Sequence, residues 1–140
     1  MERYVLEALQ KAVAAAVVPS DLPVTSVKYV GRNFKIPTDD KWLEVLYITN
    51  NPTGETYGSS KTYRGVLRLI LHWPMKDHGA YSAMDLMKVI LDGMPKGSKH
   101  EDLLGNVKVN ITDTPNILNI LEESPEMLII GSIRYNFFNP

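Results

Sequence analysis

The sequence predicts an α+β protein in which two main helices pack on an antiparallel-rich sheet of about four to five strands. Three observations support this fold class. Apolar residues recur every three to four positions in residues 1–18 and again in residues 82–94. Alternating apolar and polar residues, which are typical of strands, lie between and after these segments. The 140 residues contain no repeat, low-complexity tract or linker, so we expect one domain over residues 1–140.

The first helix is predicted over residues 1–18. Val5, Leu9 and Val13 fall on one face of this helix, and Pro19 ends it. The apolar run in the segment is too short to cross a membrane, and charged residues interrupt the pattern of a secretory signal. We therefore expect a helix of a mature soluble protein and no membrane partner.

Three strands are predicted before the second helix. Residues 24–30 form a weak strand, residues 42–49 a stronger one and residues 63–73 the strongest. In the strongest strand, one face carries Leu67, Leu69, Leu71 and Trp73, and the other carries Arg64, Val66, Arg68, Ile70 and His72. Residues 50–62 form a loop rich in Gly, Ser, Thr and Asn, and ordered loops of this length are often functional.

The second helix is predicted to begin at a capping box formed by Ser82 and Asp85, and it carries an apolar stripe. Ser98 and Glu101 repeat the capping pattern, which predicts a short turn ending at Gly105.

Two further strands are predicted in the remaining sequence. Residues 107–111 alternate, residues 116–121 fit either a strand or a helix, and residues 127–138 form a long final strand. The final strand places Phe137 and Phe138 on opposite faces. One of the two therefore belongs to the core, and the other points outwards or into a partner.

The composition excludes several kinds of site. The chain has no cysteine, so it can form neither a disulfide nor a thiolate metal site, and it has no cysteine nucleophile. Its formal net charge is -1 and its pI is about 6.3. Without a basic field to hold a phosphate backbone, sequence-specific binding of nucleic acid is not expected.

The residues that could carry chemistry do not form a catalytic pattern. His72 and His78 lie six positions apart across a proline, which fits neither the strand nor the helix spacing of metal ligands. Asp39–Asp40 and Glu122–Glu123 stand beside prolines and are typical of solvated turns. The sequence also lacks a Gly-x-Ser-x-Gly motif and a glycine-rich phosphate loop. We predict that the protein is not an enzyme and has no catalytic residue, metal site or cofactor.

One strand face combines cations with apolar residues. Arg64, Arg68 and His72 alternate with Val66 and Ile70 on the same face. Such a face is either the solvated side of a half-buried sheet or a surface that meets a neighbouring subunit or lines a channel.

The order of these elements, and the glycines and prolines that separate them, resemble the tail terminator family of long-tailed bacteriophages. This family includes tail-completion proteins of prophages. The resemblance rests on Trp42-Leu43-Glu44-Val45, Gly58, Tyr63-Arg64-Gly65-Val66-Leu67, Trp73-Pro74, Gly79 and the helix from Ser82. It runs from the N-terminal helix to Gly97 and weakens beyond that residue.

The resemblance implies a structural virion protein that forms a hexameric ring on the end of the tail tube. There the ring stops tube polymerisation and offers an interface to the head-side connector. The implied partners are other copies of the chain, the tail tube protein and the connector, and DNA passes through the ring. The implied location is the neck region of the virion tail, after assembly in the host cytoplasm.

Within this hypothesis, six residues are candidates for protein interfaces. The loop Asn50–Thr62 would contact the tube or the connector, while the two arginines would face a neighbour or the lumen. The candidates are Tyr57, Lys61, Arg64, Arg68, Phe137 and Phe138. Two alternatives stay open at this point: a head–tail joining or head-completion protein, and a small-molecule-binding α+β domain.

Overall fold

The computed structural model describes residues 2–49, 61–75 and 80–139, which form two α-helices, one short 3-10 helix and seven strands. The helices are α1 (Glu2–Val17) and α2 (Ala80–Asp92), and the 3-10 helix is Val24–Ser26. The strands are β1 (Val27–Lys28), β2 (Trp42–Thr49), β3 (Lys61–Pro74), β4 (Lys99–Glu101), β5 (Lys108–Ile111), β6 (Asn116–Glu123) and β7 (Glu126–Asn139).

The strands form one sheet in the order β1-β2-β3-β7-β5-β4. β6 pairs with the first half of β7, and β5 pairs with part of its second half. β1 and β2 are parallel, and the other pairs are antiparallel. The predicted α+β class is confirmed. The predicted size of about four to five strands is wrong, because the described residues form seven strands in a mixed sheet.

The strands that the sequence did not reveal are the short ones. β1 has two residues and β4 has three, so neither is long enough for alternation to be recognised. Residues 24–30 contain the 3-10 helix and β1 instead of one weak strand. Residues 116–121, which fit either structure, belong to β6 because they pair with the edge of β7.

The two longest strands form the centre of the sheet. β3 and β7 pair without interruption from Lys61 with Asn139 to Pro74 with Glu126. This register places Leu69 of β3 opposite Gly131 of β7. Each strand has 14 residues, and together they carry most of the side chains on both faces.

Both helices pack on one face of the sheet, and this is where the core lies. Leu67, Leu69, Leu71 and Trp73 of β3 are buried, as are Ile129 and Ile133 of β7. α2 can approach β7 closely because Gly131 has no side chain. A Cβ atom at Gly131 would lie 3.1 Å from Sδ of Met87 and 3.2 Å from Cδ2 of Leu91.

Gly65 has a specific packing role in β3. It pairs with Tyr135, whose ring and hydroxyl occupy the space that a side chain at position 65 would need. A Cβ atom there would also lie 2.7 Å from the carbonyl oxygen of Ile48. The hydroxyl of Tyr135 donates a long hydrogen bond of 3.5 Å to that same oxygen. The glycine therefore lets the tyrosine cross β3 and reach β2.

Two helix-start predictions are wrong. α2 begins at Ala80, so Ser82 and Asp85 lie inside the helix and do not form its cap. Ser98 and Glu101 do not begin a helical turn, since residues 99–101 pair with β5 as a strand. Both segments carry the polar residues of a capping box, but in neither segment do these residues form the start of a helix.

The first helix agrees with its prediction, since it ends at Val17 before Pro19. No helix among residues 2–49, 61–75 and 80–139 is long and apolar enough to cross a membrane. Most of the predicted loop, residues 50–60, lies outside the described residues, and so does His78.

Candidate interaction surface

The face of the sheet opposite the two helices carries the predicted arginines, and we call it the open face. It is formed by alternate residues of β2, β3 and β7. They include Trp42, Glu44, Leu46, Ile48, Arg64, Val66, Arg68, Ile70, His72, Glu126, Leu128, Ile130, Ser132, Arg134 and Asn136. Apart from Trp42 and His72, all of these residues are half-buried or exposed, and the buried cluster that packs under α1 and α2 uses the other face.

One end of the open face holds a histidine between two carboxylates. Nε2 of His72 lies 3.1 Å from Oε1 of Glu44, and Nδ1 lies 3.2 Å from Oε1 of Glu126. The contact between Nδ1 and Glu126 is as short as an ion pair, but its geometry is not that of a hydrogen bond. The ring also stacks on Trp42, with 3.7 Å between centroids and 3° between planes. His72 is therefore buried at this end of the face, with only 8% of the residue exposed.

The middle of the open face is apolar around one arginine. Arg68 pairs with Leu46 on one side and Ser132 on the other. Its side chain is half-buried, and its Nε has no hydrogen-bond partner among the described residues. A buried donor without an acceptor costs about 1–3 kcal/mol. Because this Nε is itself buried, only the rest of the half-buried Arg68 side chain is accessible to a partner.

The other end of the open face is basic. Arg64 is exposed, and Arg134 lies 3.7 Å from Asp113 at an exposed ion pair. Asn136 accepts a hydrogen bond of 3.1 Å from Nδ2 of Asn110. The open face is therefore polarised along the strands, with the carboxylates beside His72 at one end and the arginines at the other.

The other predicted interface residues have different outcomes. Phe137 is 2% exposed and stacks on Tyr63 inside the core, with 4.9 Å between ring centroids. The prediction that one of the two phenylalanines is a core residue is confirmed, and Phe137 is not available on the protomer surface. Tyr57 lies outside the described residues, and so do the side chains of Lys61 and Phe138.

Several tyrosines and one histidine have shifted pKa values because they are desolvated. Burial raises the pKa of Tyr135 to about 12. Burial, followed by a hydrogen bond to the carboxylate of Glu2, raises the pKa of Tyr47. Burial lowers the pKa of His100. At neutral pH these groups are therefore uncharged, and they act as packing residues instead of acids or bases.

A turn lies between β4 and β5, where the sequence predicted a short turn ending at Gly105, and we call residues 102–105 the leucine turn. The carboxyl group of Asp102 is buried and accepts hydrogen bonds from the backbone N–H of Val107 at 3.0 Å and from Asn106 at 2.9 Å. Burial opposes ionisation of Asp102, but these hydrogen bonds outweigh it and lower its pKa. The turn holds Leu103 and Leu104 outwards, 76% and 84% exposed.

The described residues do not suggest a catalytic or metal centre. Within residues 2–49, 61–75 and 80–139, no group of three or more His, Asp or Glu side chains could hold a metal ion. His72 and its two glutamates are engaged with one another, and the nearby Trp42 covers the histidine ring. The notable features of the described residues are the open face and the leucine turn.

Comparison with protein families identifies the chain. A sequence model described as phage tail terminator protein matches residues 4–135. The chain belongs to the phage tail terminator family. This is a family of structural proteins and not of enzymes, so the chain has a structural role in phage tail assembly and is a component of the virion tail.

Solved structures agree on the fold of the tail terminator. Seven chains of solved structures match it. One of them has 17% sequence identity and a TM-score of 0.80, and the alignment covers 100% of this chain and 98% of that chain. At this identity the likeness shows the fold alone. No curated protein sequence matches.

Proposed function

We propose that this tail terminator forms a sixfold ring on the end of the tail tube, where it stops tube polymerisation and provides the interface to the head-side connector. The family match over residues 4–135 supports a role in tail assembly. The observation that carries the finer proposal is the open face, where apolar side chains and the side chain of Arg68 are only partly buried and Arg64 is exposed.

A ring needs two different patches on each protomer. When such patches meet head to tail and the rotation between neighbours closes, the product is a ring and not a filament. Capping then needs one side that matches the last ring of the tube and an opposite side that does not recruit another tube subunit. In this proposal, Arg64 and Arg68 face a neighbouring protomer, the tube or the lumen.

The test uses purified tail tubes. The protein is added to tubes, the ends are imaged by electron microscopy, and tube subunits are then supplied to see whether growth resumes. We expect rings on one end of each tube and no further growth at that end. Bare ends that continue to grow would refute the proposal. A ring that forms in solution and ignores tubes would favour a head–tail joining protein instead.

The open face is tested by the double charge reversal Arg64→Glu/Arg68→Glu. We expect this variant to yield tails of uncontrolled length, because the cations can no longer pair with a partner's oxygen atoms. Lys88→Glu is the matched control, since Lys88 is exposed on α2, away from the open face. Circular dichroism confirms that each variant is folded. Tails of normal length from the folded double variant would remove these arginines from the mechanism.

A further inference from the structure

The leucine turn is an ordered surface feature that the open face does not explain. Gly105 has a φ of 71° and donates a backbone hydrogen bond of 3.1 Å to the carbonyl oxygen of Asp102. The backbone N–H of Leu103 donates to Oε1 of Glu7 at 3.2 Å, which ties the turn to α1. A fixed backbone thus holds two neighbouring leucines in solvent.

A basic surface lies beside the leucine turn. Leu103 forms one wall of a concavity of about 540 Å³ on the outer side of α1, which we call the cationic cleft. It is lined by Arg3, Leu6, Glu7, Gln10, Lys11, Ala14, Tyr29, Arg32 and Leu103. Three cations therefore face one carboxylate, and that carboxylate already accepts a hydrogen bond from the turn.

A surface of opposite charge lies beyond the other end of α1. A concavity of about 450 Å³, which we call the acidic groove, is formed where the connector after α1 meets α2 and the end of β3. Its apolar floor and wall include Leu22, Trp73, Leu86 and Val89, while Asp21, Asp39 and Asp85 line it with a single lysine, Lys41. Lys41 stacks on the floor, with its Nζ 4.6 Å from the centroid of the Trp73 ring.

The two surfaces are complementary and lie on different parts of one protomer. The leucine turn offers apolar side chains beside an excess of positive charge, and the acidic groove offers an apolar floor beside an excess of negative charge. Glu7, which contacts the turn, and Pro19, which lines the groove, are separated along the chain by roughly three turns of helix. Two different patches that fit each other produce head-to-tail association.

We propose that the leucine turn of one protomer docks in the acidic groove of the next copy of the same chain. This contact rests on the ring proposed above, and it names the two patches that close the ring. Both patches lie on the helix side of the sheet, so the contact leaves the open face for the tube or the lumen. Leu104 enters the groove, and the cations of the cleft face the aspartates of the groove.

The absence of cysteine allows a direct test by site-specific crosslinking. Leu104→Cys places a thiol on the turn and Val89→Cys places one in the groove. With a short bismaleimide, the double variant is expected to give a ladder of covalent trimers and larger oligomers, because each protomer can join two neighbours. Each single variant has one thiol and can give dimers at most. The reaction is run at high protein concentration and again on tail tubes.

The outcomes separate this contact from the proposed function. A ladder from the double variant supports the contact, whether or not rings cap tubes. Rings on tube ends without a ladder would overturn the contact and leave the capping function standing. If Leu104→Asp abolished binding to tubes or connector while the Cys pair gave no ladder, the turn would bind that other protein, and the assigned partner would be wrong.

Charge exchange tests the electrostatic part of the proposal. Lys11→Glu/Arg32→Glu reverses the cleft, and Asp21→Lys/Asp85→Lys reverses the groove. In the Cys-pair background, each reversal alone is expected to reduce the ladder at least about tenfold. Combining both reversals in one chain restores opposite charges and should restore the ladder. Tyr81→Asp, at an 81% exposed position outside the groove, is the control and should not change the ladder. If the variant that carries both reversals is folded but does not recover the ladder, the proposed charge pairing is wrong.

Discussion

The two faces of the central sheet use alternate residues of the same strands, but their surroundings differ. Leu69 is fully buried beneath the helices, while Ile70, the next residue of β3, is half-buried on the open face. The buried face packs under the helices within one chain, although Nε1 of Trp73 has no hydrogen-bond partner among the described residues. The open face keeps a partly buried arginine and a row of partly buried apolar side chains. The comparison shows that, among the described residues, α1 and α2 cover one face of the sheet and leave the other partly exposed.

The largest expected effect separates the two faces directly. Leu69→Ala should lower the free energy of unfolding by about 2–5 kcal/mol, because it removes a fully buried side chain and leaves a cavity. Ile70→Ala, its neighbour on the open face, should cost about 1 kcal/mol, since part of its surface is already in water. Urea unfolding of the free protein measures both. Equal losses would mean that the open face is packed as tightly as the core in the free protomer.

A smaller effect is expected from filling the space at Gly65. Gly65→Ala should cost about 1–3 kcal/mol, because the new Cβ meets the ring of Tyr135 and the backbone of β2. Ser132→Ala, on the open face of β7, is the matched control and should change stability by less than about 0.5 kcal/mol. Thermal unfolding of the two variants gives the comparison. A Gly65→Ala variant as stable as the control would show that Tyr135 can move without loss.

The acidic end of the open face gives the next effect. His72→Phe keeps a ring on Trp42 but removes both nitrogen atoms that contact Glu44 and Glu126. We expect a loss of about 1 kcal/mol, at the low end for such contacts because the glutamate side chains are 22% and 37% exposed. A double-mutant cycle with Glu44→Gln measures the coupling. Additive losses would mean that the contact between His72 and Glu44 does not stabilise the fold.

The smallest effect concerns the leucine turn and depends on pH. The pKa of Asp102 is lower in the folded protein than its usual value, because hydrogen bonds outweigh the effect of burial. Ionised Asp102 therefore stabilises the fold above the usual carboxyl pKa, and this contribution is lost as the pH falls through the lowered value. The difference in Tm between wild type and Asp102→Asn should shrink from neutral pH to about pH 3. A difference that stays constant with pH would contradict this role.

Long elements could be predicted from the sequence because their periodicity extends over many residues. β2 has the predicted bounds, and alternation along β3 separates Leu67, Leu69, Leu71 and Trp73, which are buried, from the arginines on the other face. Pro19 marked the end of α1 for the same local reason, since proline cannot continue a helix. These properties depend on neighbours along the chain.

Properties that depend on neighbours across the sheet could not be predicted. The burial of His72 results from Trp42, Glu44 and Glu126, which lie on strands adjacent to its own. Asp102 accepts a hydrogen bond from the N–H of Val107 only because the chain turns back and brings this group to it. The arginines were assigned to the correct face, whereas the surroundings of Arg68 became visible only in the paired sheet.

The central ladder also has a consequence for synthesis. β3 pairs with β7 along its whole length, and α2, β4, β5 and β6 lie between these two strands in the sequence. These four elements must therefore be synthesised before the middle of the sheet can form. Contacts between distant segments form slowly, since closing the intervening chain costs entropy before any pairing compensates for it. While a ribosome is still translating the second half, β3 has no partner on that side. The nascent chain consequently presents neither face of the finished sheet until β7 has been translated.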